Sequence, residues 1–148
     1  MSIILASILS SVIIFPILIL ILIVFFTILL ILYLTFCIGV RNFLIKNGLS
    51  TTGFWIPIYN LYLMGNILES ELNCENPLFH YAKYLFPIIT IALCFVSGTL
   101  GTIITIAYTI YRIYCFYKLG EKYNNGLLLS ILSIFHLQGI GLIICTKK

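Results

Sequence analysis

Charge is what this chain has least of. Its 148 residues include eight Lys or Arg and four acidic residues, 8% in all, where ordinary soluble domains carry about 25%. A soluble fold of this size cannot cover its surface with so few charges. Residues 1–40 hold none at all, and the first charge is Arg41. The basic n-region and small-x-small cleavage site of a secretory signal are absent, so the N-terminal segment reads as a retained membrane helix.

Other absences exclude chemistry. The five cysteines, Cys37, Cys74, Cys94, Cys115 and Cys145, form no CxxC and no regular framework, and four of them lie in or beside apolar runs, where Cys packs as a small hydrophobe. There is no Gly-x-Ser-x-Gly elbow, no His-Glu-x-x-His string and no phosphate-cradling glycine loop. Neither a catalytic residue, a cofactor site nor a metal site is expected. Glu69, Glu71 and Glu75, with His80 nearby, lack a recognised ligand spacing and read as a solvated acidic loop. The net charge of +4 does not indicate nucleic acid, because the basic residues are scattered at the ends of apolar runs. Lys and Arg there orient a protein in a bilayer instead.

What the chain does have is apolar length: 62% of its residues are hydrophobic and its mean hydropathy is +1.20. The fold class this predicts is all-α, a polytopic membrane protein forming a single-domain bundle of about four transmembrane helices. A single helix over residues 1–40 would be about 60 Å long, twice the hydrocarbon thickness, and no turn cluster divides it. The first span is therefore placed at 14–38, with Pro16 in its first turn. Residues 2–12 either extend that helix or lie along the interface. The second run, 49–68, carries Pro57 and the amphipathic rings Trp55, Tyr59 and Tyr62; it is either a full span with a proline kink or a re-entrant segment. The third and fourth runs, 85–111 and 127–145, are each read as one span.

With four spans, Arg41, Lys46, Arg112, Lys118 and Lys122 share one side. Lys83, Lys147 and Lys148 lie on the other with Glu69, Glu71 and Glu75. The positive-inside rule makes the first side cytoplasmic and both termini extracytoplasmic. The localisation is a cell membrane, and the Ile- and Leu-rich composition without eukaryotic sorting signals suggests a bacterial one.

Three stretches carry a resemblance. They are Lys46-Asn47-Gly48; Gly53-Phe54-Trp55-Ile56-Pro57-Ile58-Tyr59-Asn60-Leu61-Tyr62; and Lys118-Leu119-Gly120-Glu121-Lys122-Tyr123, leading to Gly126-Leu127-Leu128-Leu129 and Ile134-Phe135. Over residues 40–145 the chain resembles a family of small bacterial multi-span membrane proteins of unknown function. That family's members carry Lys-Ala-Gly, Gly-Trp and Ile-Pro-x-Tyr-Asn-x-Tyr strings. Here Phe54 separates the Gly-Trp pair and Asn47 replaces the alanine. The resemblance implies a helical membrane protein and supplies no activity.

A few polar residues are out of place in lipid. His136 and Gln138 fall near the middle of the fourth run and Asn60 near the middle of the second, where polar groups are costly and face the bundle interior. They are expected to meet at similar depth, either as hydrogen-bonding glue between helices or as a polar patch that binds a small ligand or relays a proton. Pro57 is the candidate helix break. Tyr108, Tyr111, Tyr114 and Tyr117 suggest an aromatic belt. Ser97, Gly98, Gly101 and the threonines Thr99, Thr102, Thr105 and Thr109 suggest a close-packing helix face. The function expected is a structural or accessory one, exerted through helix–helix contact with itself or a larger membrane protein in the lipid bilayer. The alternative is a small oligomeric transporter, channel or hole-forming protein. An enzyme is not expected.

Overall fold

The computed structural model describes residues 2–72 and 77–147, with side chains from residue 14 onward; Cys74, Glu75 and Lys148 lie outside the described residues. The fold is all-α, with no strand among the described residues. The helices are α1 (Ser2–Lys46), α2 (Pro57–Glu71), α3 (Pro77–His80), α4 (Ala82–Leu93), α5 (Gly98–Lys122), α6 (Gly126–Ile134) and α7 (Gln138–Thr146). Two of them hold a stretch long and apolar enough to cross a membrane: residues Ile14–Lys46 of α1, with mean hydropathy 3.4, and Gly98–Lys122, with 1.2.

The chain divides into residues 1–33 and 34–148. The first unit is the leading part of α1. Residues 14–31 are exposed on every side, and a helix apolar all round belongs in lipid or in the core of a large protein. The helix begins at Ser2, so residues 2–12 extend it, and Pro16 is interior to it rather than in its first turn.

The second unit holds the core, built from Val40, Phe43, Leu44, Met64, Ile67, Leu68, Phe86, Phe116, Leu119, Leu129 and Leu142. Here three of the expected runs are not single helices over their whole length. The second run is helical only from Pro57, which stands in the first turn of α2 behind an extended Ile56. Proline suits that position because its missing N–H has no helical partner to lose. Pro57 therefore opens a helix and kinks none, and the Gly53 carbonyl accepts from the Ile56 N–H at 2.9 Å. The third run is two helices, separated at Cys94–Ser97 by a turn that ends on Gly98 with φ +73°, a conformation natural to glycine. The fourth run is also two helices, α6 and α7, separated at Phe135–Leu137, where His136 adopts φ +57°.

Contacts within residues 34–148 set the directions. Asn60 meets Cys37 and Asn47 meets Glu71, so α2 runs parallel to the end of α1. Thr90 meets Tyr108, Phe86 meets Tyr111 and Phe79 stacks on Tyr114; α5 thus runs back along α4 and α3. Tyr108 and Tyr111 form a seam between these helices, whereas Tyr114, stacked on Phe79, is 37% exposed. Gly141 packs against Leu129 and Leu132, and against α1 Gly139 abuts Phe36 while Gly39 abuts Leu142. These contacts make α6–α7 an antiparallel hairpin with α7 parallel to α1. Consequently the ends of α1, α2, α5 and α7 and the start of α6 gather at one end. Lys147 lies there too, sharing a groove of about 480 Å³ with Asn42, Ile45, Lys46 and Thr146. The four-span expectation places Lys147 and the acidic stretch on the side opposite Lys46 and Lys122, whereas Lys147, Lys46, Lys122 and Glu71 share one end of this unit.

The Ser97–Gly98 pair forms the α4–α5 turn, and Gly101 backs onto the Val96 carbonyl. Thr102, Thr105 and Thr109 each donate to the carbonyl four residues earlier, which satisfies their hydroxyls within α5.

Candidate functional site

Two polar nodes join the helices of the second unit. The first is built on Arg112 of α5. Its Nη2 donates to the Ser133 carbonyl at 3.0 Å and its Nη1 lies 3.2 Å from His136 Nδ1. The sequence dictates this pairing indirectly. Breaking the helix at Phe135–Leu137 leaves carbonyls of the last turn of α6 short of intrahelical donors, and a cation there also meets the negative end of the helix dipole. Because a guanidinium only donates, His136 Nδ1 must accept, which puts the ring proton on Nε2.

Beside this node lies a partly open cavity of about 30 Å³ lined by Phe36, Leu61, Met64, Phe86, Tyr108, Arg112, Phe116 and Gln138. Arg112 Nε and Gln138 Oε1 are both buried without a hydrogen-bond partner, as is the Ser133 hydroxyl.

Of the residues singled out in the sequence, His136 and Gln138 both belong to this node, one bonding Arg112 and the other lining the cavity with it. Asn60 is fully buried but lies on another side of α1, donating to Cys37 Sγ at 3.1 Å, with its Oδ1 unpartnered. Asn60 and Gly139, the residue after Gln138, flank the same turn of α1, Phe36–Cys37. Pro57 takes no part.

The second node is Glu71, 5% exposed. Its Oε1 accepts from Asn47 Nδ2 at 2.7 Å and from the Tyr123 hydroxyl at 2.8 Å. Lys122 Nζ reaches Oε2 at 2.6 Å and the Glu71 main-chain carbonyl at 2.6 Å. Lys46 adds its ammonium 4.2 Å from the centre of the Tyr123 ring, within cation–π reach. One carboxylate thereby ties the ends of α1, α2 and α5. Burial pushes the Glu71 carboxyl upward, but the hydrogen bonds from Lys122, Asn47 and Tyr123 and the Lys122 charge hold it below its ordinary value. Burial, then the bond to Glu71, push the Tyr123 phenol upward. Two residues earlier, Glu69 bonds Lys83 at 2.8 Å and His80 at 2.6 Å.

No protein-family model, curated protein or solved structure matches this chain.

Sequence reasoning missed Arg112 and Glu71. In the sequence Arg112 reads as the boundary of a span, although the next charge, Lys118, lies more than a turn further on; an Arg set inside an apolar stretch is the available signal. Glu71 was grouped with a solvated loop, and nothing in ESELNCEN distinguishes it from Glu69. Among the described residues no group of three or more His, Cys, Asp or Glu is placed to hold a metal. The chemistry these nodes support is binding between helices.

Proposed function

We propose that this is a small multi-pass membrane protein with a structural or accessory role, acting through helix–helix contacts in the bilayer; the resemblance over residues 40–145 implies the helical membrane protein and not the role. The cavity carries this reading. Ligand sites are commonly about 300–1,000 Å³, and the interior space beside the polar node is about 30 Å³, room for a water or two. The interior polar groups are spent joining helices: Arg112 to the α6–α7 turn, Glu71 to α1 and α5.

The gathered end defines the topology we infer. It holds Lys46, Lys122 and Lys147, with Lys118 one turn before Lys122, so the positive-inside rule makes it cytoplasmic. Both α1 and α5 finish there, and α3–α4 returns the chain between them. That reading has three crossings, with 47–71 and 126–146 as re-entrant segments. Irregular backbone at membrane depth is tolerated where protein covers it.

Site-specific photo-crosslinking from Ile23 and Phe26, both exposed on α1, tests the role. The expected product is a discrete adduct with a membrane protein or a second copy of the chain. Solute or ion flux through liposomes containing only this protein, lost in Arg112→Gln, would overturn the reading in favour of a transporter or channel.

A further inference from the structure

Among the described residues no carboxylate pairs with the charge of Arg112. Among the described residues the acidic groups are committed elsewhere: Glu71 to Lys122, Glu69 to Lys83 and His80, and Glu121 to Lys118. The two groups that Arg112 does bond, the Ser133 carbonyl and His136 Nδ1, are neutral acceptors. A guanidinium does not shed its proton in proteins, and a buried charge without an opposite charge is strongly unfavourable. In the topology proposed above, on which this inference rests, Arg112 stands ten residues before Lys122 on α5, about 15 Å from the cytoplasmic end of that helix; the residue is partly exposed, and its Nε is buried.

The space beside it has a matching character. The cavity is partly open, its walls are mostly aromatic and aliphatic, and its two strongly polar lining residues are Arg112 and Gln138. Each keeps one buried polar atom unpartnered, Nε and Oε1. An amide's O and N are assigned from the bonds they make, and here Oε1 makes none. Turned over, the Gln138 amide presents two N–H donors beside the Arg112 Nε–H. We propose that this cavity binds a monatomic monovalent anion of halide size, held by Arg112 Nε and the Gln138 amide as the counter-ion of the Arg112 guanidinium. A water molecule fits the volume and could bridge Nε to Oε1, but it leaves the charge uncompensated. The anion does both, and it couples α5 to the first turn of α7.

The test is thermal unfolding of the purified full chain in detergent, in chloride, bromide or gluconate at one ionic strength. Chloride and bromide at about ten times their Kd should raise the midpoint by roughly 3–6 °C over gluconate. Arg112→Gln should abolish that difference and Gln138→Leu should reduce it. No halide difference in the wild-type chain overturns the proposal and leaves water in the cavity. A difference that persists in Arg112→Gln overturns the site. Should Arg112→Gln fail to fold, anomalous scattering from bromide-grown wild-type crystals decides. A peak between Arg112 and Gln138 supports the site, and its absence there refutes it.

Discussion

A buried carboxylate with three donor groups around it behaves differently from the same residue in a loop. Glu71 sits below its ordinary carboxyl value of 4.5. A group depressed in the folded state contributes stability that is fully present above its unfolded value and lost as pH falls through the folded one. The Glu71 node should therefore be intact at neutral pH and weaken progressively below about pH 4.5. Glu71→Gln keeps the acceptor for Asn47 and Tyr123 but sets an amide against Lys122; it should cost about 1–3 kcal/mol at pH 7 and flatten the acid limb of the stability profile. An unchanged acid limb in that variant would show that Glu71 is not the group responsible. His136 makes a second residue-scale case. Its φ of +57° is costly for most side chains and free for glycine. His136→Val should cost about 1–3 kcal/mol, whereas His136→Gly should be close to neutral, the relieved backbone offsetting the lost Arg112 contact. Melting midpoints of the two variants in detergent check this.

Among the helices, close approach rests on glycine at named contacts. A Cβ on Gly139 would stand 2.5 Å from the Phe36 nitrogen, and one on Gly65 would stand 2.1 Å from the Lys83 Cα. Both obstacles are backbone, so neither can swing aside. Gly139→Val should part α7 from α1 and Gly65→Val should part α2 from α4, each at a cost of about 1–3 kcal/mol or more. Thermal unfolding midpoints of both variants in detergent, each lower than that of the parent chain, check this. At this scale the sequence was legible in part. Helix was evident throughout from apolar length. The breaks inside the third and fourth runs were not, because Val96-Ser97-Gly98 and Phe135-His136-Leu137 read equally well as continuous membrane helix. Ser-Gly is tolerated in such helices, and a positive φ at His136 is decided by what the turn packs against.

For the whole molecule the testable statement is which ends share a compartment. Cys94, exposed in the α4–α5 turn, and Asn124, between α5 and α6, lie at opposite ends of α5. With the other cysteines removed, Cys94 should react with a membrane-impermeant thiol reagent in intact cells. A cysteine at Asn124 in a Cys94-free chain should react only after the cells are opened. The reverse pattern would invert the topology, and equal labelling of both positions would remove the α5 crossing.

What the amino-acid order indicated alone was an apolar surrounding and helix as the type of element. Forty uncharged residues and 8% charge overall leave an apolar environment as the favourable one, and within it helices satisfy their own backbone. It also marked His136 and Gln138, since polar groups amid apolar runs need partners. The tertiary structure decided the partners and the directions. Arg112 reaches His136 only because α6 doubles back along α5, and Glu71 leaves the solvent only because α1, α2 and α5 end together. Hydropathy measures how strongly a segment avoids water; it carries no information on whether the segment continues across or turns back, which is settled by the hydrogen bonds and glycine contacts between segments far apart in the chain.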